Sequence, residues 1–285
     1  MSVRTVGVVG AGQMGAGIAH VAAVAGFDVV LTDIEAAVVE RTIENIGRNL
    51  DRQIKKGTVA TSQKSEALGR ITGSTHLAEH RRADLVIESA EEFYPIKAEI
   101  FRQLDVLCPP STLFASNTSS ISITKLAAVT GRPDRVVGMH FMNPVPLMRL
   151  VEVVRGLETS QETVATVFVT AETMDKTPVE CNDHPGFVSN RLLMPMINEA
   201  VFAVAEGVAS AGAVDDIMTL GMNHPMGPLR LADLIGLDNC LSVMRILHEE
   251  LGDPKYRPCP LMVRMVDAGR LGRKSGRGFF DYREE

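Results

Sequence analysis

The chain has 285 residues, enough for one large or two ordinary domains, each with its own core. Its 45% hydrophobic and 22% charged residues are ordinary for a globular protein, and a net charge of -6 argues against general nucleic-acid binding while leaving room for a local basic stripe. Cys108, Cys181, Cys240 and Cys259 have no paired metal or redox spacing, so they read as packed or surface thiols of a reducing compartment, the cytoplasm, with no metal site.

The first predicted element is a strand, Thr5-Val6-Gly7-Val8-Val9, which leads into Gly10-Ala11-Gly12-Gln13-Met14-Gly15. Strand, glycine turn and helix in this order make a dinucleotide-binding fingerprint. The glycines allow a tight turn and close approach of a pyrophosphate, to which the helix N-terminus offers unpaired amides. A second apolar strand, Asp28 to Thr32, ends at Asp33. Its carboxylate suits the hydroxyls of an adenosine ribose and repels the extra phosphate of NADP, so NAD is the expected cofactor. The stretch from Val3 to Leu31 is apolar, but Gly10, Gly12, Gly15, Gly17, His20 and Asp28 interrupt it, and neither an export signal nor a membrane span is expected.

A helix is predicted over Ala36 to Lys56, with Arg48, Arg52 and Lys56 recurring every four residues and Lys55 beside them. This face reads either as solvated surface or as an anion-binding stripe. Strands at Asp84 to Glu88, Thr112 to Ser116, Val136 to Met139 and Leu150 to Val154 follow, with a helix over Ile96 to Leu107 just after Pro95. The alternation predicts a mainly parallel sheet covered on both faces.

His140 ends the strand Val136 to Met139, and strand carboxyl ends face the ligand crevice in open α/β sheets. Glu152 lies in the apolar segment Leu150 to Val154. There it either points to water from an edge strand or is buried with a partner, for which imidazole is the obvious choice. A His–carboxylate pair suits alcohol oxidation: the ring takes the hydroxyl proton as hydride leaves carbon, and the carboxylate orients the ring.

The turn formers Asn182-Asp183-His184-Pro185-Gly186 mark a boundary, giving expected domains of residues 1–184 and 185–285. Beyond it, helices are predicted over Val188 to Glu206, Ala213 to Leu220 and Leu229 to Leu251, with Leu192, Leu193, Met196 and Ile197 at core-facing spacing. So apolar a helical part reads either as a self-contained core or as a surface for a second copy, and a homodimer through these helices is expected. The expected fold is α/β, a Rossmann-like dinucleotide-binding domain followed by a smaller all-helical C-terminal domain.

Several motifs fall in order: Ala115-Ser116-Asn117-Thr118-Ser119-Ser120, Gly138-Met139-His140-Phe141-Met142-Asn143-Pro144-Val145-Pro146, Leu150-Val151-Glu152-Val153, Pro185-Gly186-Phe187-Val188-Ser189-Asn190-Arg191-Leu192-Leu193, Pro225-Met226-Gly227-Pro228 and Lys274-Ser275-Gly276-Arg277-Gly278-Phe279-Phe280. Together they resemble the short-chain L-3-hydroxyacyl-CoA dehydrogenase family, of the bacterial 3-hydroxybutyryl-CoA type, over nearly the whole chain. The resemblance implies NAD-dependent oxidation of an (S)-3-hydroxyacyl-CoA to the 3-oxoacyl-CoA. It implies His140 as general base, Glu152 as its orienting carboxylate, Ser119 as a hydroxyl near nicotinamide and substrate, and Asn190 as a substrate-positioning amide. It also implies contacts to NAD from Gly10, Gly12, Gln13, Met14, Gly15, Asp33, Glu92, Lys97, Asn117, Asn143 and Lys274, and to CoA phosphates from Arg52 and Lys56. Without it, Lys97 and Lys274 would read as solvated.

The chain departs from the family at Phe93-Tyr94-Pro95, where Asn commonly follows the acidic residue, at Met142, where a second aromatic is common, and at Arg149, where Lys is common. Two rival functions use the same scaffold: a dehydrogenase of a free 3-hydroxy acid or sugar acid, and an NAD-binding protein without turnover.

Overall fold

The computed structural model describes residues 2–283, and the chain divides after Asp183 into two compact units. The first contains β1 (Thr5–Val9), α1 (Gln13–Val24), β2 (Asp28–Thr32), α2 (Ala36–Lys55), α3 (Thr61–Gly69), β3 (Ile71–Ser74), β4 (Leu85–Glu88) and α4 (Tyr94–Leu107). It continues with β5 (Leu113–Ser116), α5 (Ile123–Ala127), β6 (Val136–Phe141), β7 (Leu150–Arg155), α6 (Gln161–Thr173) and β8 (Thr177–Asn182). The strands form one sheet in the order β3-β2-β1-β4-β5-β6-β7-β8.

Helices cover both faces, which is why the central strands are apolar at successive positions rather than alternate ones. On one face Ile18 and Ala22 of α1, Ile46 and Leu50 of α2 and Val164 and Val167 of α6 pack with Val6, Val8, Leu31 and Ile87. Phe114 of β5, one residue out of step with that set, meets Phe101 of α4 edge-on at 6.0 Å between ring centres. The order reverses at β1, which lies between β2 and β4, and this opens a crevice at their carboxyl ends.

Every pairing is parallel except β6 with β7. That single antiparallel pair sets Glu152 directly across from His140. Since β8 lies outside β7, Glu152 is not on an edge strand, and it is 3% exposed.

The second unit holds α7 (Ser189–Ala205), α8 (Ala211–Met222), α9 (Pro228–Ile235), α10 (Leu237–Leu251) and α11 (Pro260–Asp267) around a core that includes Ile197, Val201, Leu229, Leu241, Met244 and Met262. Two sequence expectations are corrected here. The helix expected over Leu229 to Leu251 is two helices, because Gly236 adopts φ +102°, a conformation reserved almost entirely for glycine. Leu192, expected in the core, is 68% exposed, whereas Ile197 is buried as expected and Leu193 packs against the core; Met194 and Val201 are buried beside Ile197.

Two buried carboxylates organise this unit. Asp215 accepts hydrogen bonds from the Leu229 and Arg230 amides at the start of α9, at 2.8 and 2.9 Å. Asp233 accepts from the Phe279 and Phe280 amides and the Tyr282 hydroxyl, tying the C-terminal glycine-rich motif to α9. No helix among the described residues is long and apolar enough to cross a membrane.

Candidate active site

The crevice beside β1 begins with the glycine turn. Gly10 has φ +99°, and a Cβ there would lie 2.5 Å from the Ser89 carbonyl oxygen, so this position requires glycine. At Gly12 the same test meets no atom within 4 Å, which leaves the backbone open to a close ligand. A groove of about 330 Å³ follows, walled by Gly10, Gly12, Asp33, Ile34, Leu77 and Ile96 among others. Its largely apolar walls, with the Asp33 carboxylate at the end of β2, fit the adenosine half of a dinucleotide. Asp33 Oδ2 accepts from the Ala11 amide at 2.7 Å, so the carboxylate also fixes the turn. Met14 is half-buried and packs against the core.

His140 and Glu152 are joined by a 2.8 Å hydrogen bond between Nδ1 and Oε2, with side chains 10% and 4% exposed. Donation by Nδ1–H to a carboxylate puts the basic lone pair on Nε2 and fixes the ring plane. Burial strengthens the bond, since water competes little for either partner.

A second network lies at the ends of β4 and β5. Lys97 on α4 is 1% exposed, so it is not the solvated lysine that its bland reading gave. Its Nζ lies 2.7 Å from Glu88 Oε1, 3.3 Å from Glu92 Oε2 and 3.1 Å from the Ala90 carbonyl, one acceptor for each ammonium proton. Glu88, 0% exposed, also accepts from the Ala90 amide at 2.6 Å and, through Oε2, from Ser116 Oγ at 2.6 Å. Burial raises the Glu88 carboxyl above the usual range, against the opposing pull of Lys97 and its hydrogen-bond donors.

Glu92 gathers a loop. Its Oε1 accepts from Thr118 Oγ1 at 2.6 Å, from the Ser119 and Ser120 amides at 2.9 and 3.1 Å, and from both serine hydroxyls. Burial pushes this carboxyl up, but Lys97 and the donors outweigh it and hold the group below its ordinary value. The departure Phe93-Tyr94-Pro95 leaves this arrangement intact. Pro95 enters the first turn of α4, and Lys125 Nζ sits 4.1 Å from the centre of the Tyr94 ring.

Asn117 bridges strands, donating to Ser89 Oγ at 3.3 Å and accepting from the Phe141 amide at 2.9 Å. Asn143 Oδ1 accepts from Gln13 Nε2 at 3.1 Å, which links the loop after β6 to the dinucleotide turn. The first unit thus brings Gly10, Gly12, Gln13 and Asp33, the Glu92-bound Ser119 loop, Asn117, Asn143 and the His140–Glu152 pair onto the carboxyl ends of one sheet. Asn190 and Lys274 belong to the second unit. Asn190 lies in the first turn of α7, and Lys274 Nζ is 2.6 Å from the Asp238 carboxylate.

The basic stripe survives in part. Arg48 is engaged by Glu44 and Asn45, and Lys56 lies just past the end of α2. Among the described residues Arg52, Lys55 and Lys56 have no ion-pair partner, while Asp51 beside them is neutralised by Lys64 at 2.6 Å. Sequence reading missed Glu88, Ser116 and Thr118; the available signal was a carboxylate closing the apolar run Leu85-Val86-Ile87, where burial demands a cation.

Comparison with known proteins gives the family. Residues 5–184 match the family model of the 3-hydroxyacyl-CoA dehydrogenase NAD binding domain, and residues 186–282 match that of the 3-hydroxyacyl-CoA dehydrogenase C-terminal domain. A probable 3-hydroxybutyryl-CoA dehydrogenase of Bacillus subtilis is 56% identical over 100% of this chain and 99% of its own length. A 3-hydroxybutyryl-CoA dehydrogenase of Bradyrhizobium diazoefficiens is 52% identical over 99% of this chain and 96% of its own. The crystal structure of (S)-3-hydroxybutyryl-CoA dehydrogenase from Ralstonia eutropha superposes with a TM-score of 0.96 at 53% identity, covering 99% of each chain.

Proposed function

Because the chain belongs to the 3-hydroxyacyl-CoA dehydrogenase family, we propose that the buried His140–Glu152 pair is the acid–base centre of its NAD-dependent reaction, the oxidation of a 3-hydroxyacyl-CoA to the 3-oxoacyl-CoA. Bound NAD supplies the hydride acceptor. His140 Nε2 takes the proton of the substrate hydroxyl, while the Nδ1 proton stays between the ring and Glu152, whose negative charge stabilises the imidazolium. In the reverse direction His140 returns the proton to the alkoxide. Ser119, on the loop gathered by Glu92, holds a substrate oxygen.

The substrate is a short 3-hydroxyacyl-CoA of (S) configuration, in keeping with the relatives named for 3-hydroxybutyryl-CoA. The exposed Arg52, Lys55 and Lys56 favour a CoA ester over a free acid, since cations without carboxylate partners suit the CoA phosphates. We assign residues 185–285 to substrate binding and homodimer formation. Supporting this is α8, which exposes Ile217 (59%), Leu220 (87%) and Met222 (63%), an apolar surface unusual for a helix left in water. A cytoplasmic enzyme accords with its bacterial relatives.

The carrying observation is the 2.8 Å His140–Glu152 bond in a water-poor setting. Substituting His140→Gln is expected to leave NADH binding within about twofold and to lower turnover of acetoacetyl-CoA by ~10²–10⁴-fold, the usual contribution of a general acid–base. Turnover within tenfold of the parent enzyme would remove His140 from the mechanism.

A further inference from the structure

The segment from Asn143 to Arg149 joins β6 to β7, and so joins the strand of His140 to that of Glu152. It also touches the cofactor turn, through the hydrogen bond from Gln13 to Asn143. Within it, Val145 is 2% exposed and packs against Gly17 of α1, where a Cβ would come within 2.7 Å of the valine. A loop buried this way needs acceptors and donors for its main chain. The Leu147 and Met148 amides donate to the Pro144 carbonyl, and the Thr177 amide donates to the Arg149 carbonyl.

The Val145 and Met148 carbonyls are met by a lysine. Lys176 Nζ donates to Val145 O at 2.6 Å and to Met148 O at 3.0 Å. The residue is 7% exposed, and among the described residues no carboxylate lies within ion-pair distance of its ammonium. A buried cation whose partners are carbonyl dipoles alone is poorly explained as a stability device, since burying the charge opposes most of what the bonds return. Burial lowers the proton affinity of the ammonium, in keeping with that cost. What the contact does supply is a fixed point between the two ends of the loop.

We propose that Lys176 is a positioning residue for the dehydrogenase reaction: by clamping the carbonyls of Val145 and Met148 it fixes Asn143 against Gln13 and holds the cofactor side of the site in register with His140. The proposal rests on the reading of Asn143 as a cofactor contact, and on nothing else in the mechanism. Lys176 is assigned to act only through these two carbonyls.

The test is a double-mutant cycle read by NADH binding, using Lys176→Met, Asn143→Ala and the double variant of the full chain. Each single change is expected to weaken NADH ~10-fold, and the double variant to be no more than about twofold worse than the weaker-binding single, because both act through one contact. Lys176→Arg, which keeps two donors, is expected to restore binding to within about threefold. NADH binding by Lys176→Met within twofold of the parent, or losses that multiply in the double variant, would overturn the proposal. If Asn143→Ala alone leaves binding unchanged, the reading of Asn143 fails, and the clamp with it; if Asn143→Ala weakens binding and Lys176→Met does not, only the clamp fails. Should Lys176→Met not fold, Lys176→Gln takes its place, and hydrogen exchange at the Leu147 and Met148 amides in Lys176→Arg and Lys176→Gln reads the clamp directly. Exchange no faster in Lys176→Gln than in the parent counts against it.

Discussion

The residues that decide this site differ in what burial does to them. In the proposed mechanism His140 and Glu152 use burial to hold the imidazole in one orientation, whereas Glu88 and Lys97 use it to build a strut. The second pair gives a clear expectation. Removing one partner leaves a buried charge without its nearest counter-charge, although Glu92 still faces Lys97, so Glu88→Gln or Lys97→Met alone should destabilise the fold by about 3 kcal/mol, and the double change should recover part of that loss. The single variants should also weaken NADH, because Lys97 and Glu92 together hold the loop of Ser119. Urea unfolding of the three variants checks the first point; a loss in the double equal to the sum of the two single losses would show that the pair is not coupled.

At the level of elements, much was legible. The glycine turn with its flanking strands, His140 at a strand end and the break near Asp183 follow from local chemistry alone, as does the start of α4 at Pro95, though the helix begins one residue before the proline rather than after it. What was not legible depends on contacts far apart in sequence. The antiparallel turn of β7, which makes Glu152 face His140, leaves no local trace, because an apolar segment reads alike in either direction. The break at Gly236 was hidden in an unbroken helical pattern, and the role of Glu88 needed Lys97 and Ser116 beside it. Long-range caps belong to the same class: Asp215, on α8, serves the first amides of α9 from outside that helix. Asp215→Ala would strand the buried Leu229 amide and the half-buried Arg230 amide and should lower stability by about 2 kcal/mol in urea unfolding. A loss under about 0.5 kcal/mol would mean that other acceptors take over the cap.

For the whole molecule, the core sets a lower limit on working pH. His80 is 0% exposed; it bonds Thr32 Oγ1 at 2.8 Å, and among the described residues its Nδ1 has no hydrogen-bond partner. Burial, helped by the charge of Arg82, lowers its pKa to about 4. In the unfolded chain the ring titrates near 6.5, so between these values the unfolded state binds a proton that the folded state refuses. The stability present above pH 6.5 is therefore lost as pH falls toward 4, by about 3 kcal/mol for this one group. His80→Gln, though less stable at neutral pH, should show a correspondingly shallower acid slope than the parent; parallel slopes would contradict the assignment.

The same molecule must join a dinucleotide groove, a buried acid–base pair and a basic stripe in one reaction, and one assay reads all three. It is the oxidation of NADH with acetoacetyl-CoA, set beside NADPH and free acetoacetate. Rapid turnover confined to NADH with the CoA ester is the expected result, given the Asp33 carboxylate in the groove and the unpaired cations near the end of α2. Comparable rates with free acetoacetate, or tight NADH binding with no turnover of the ester, would contradict it.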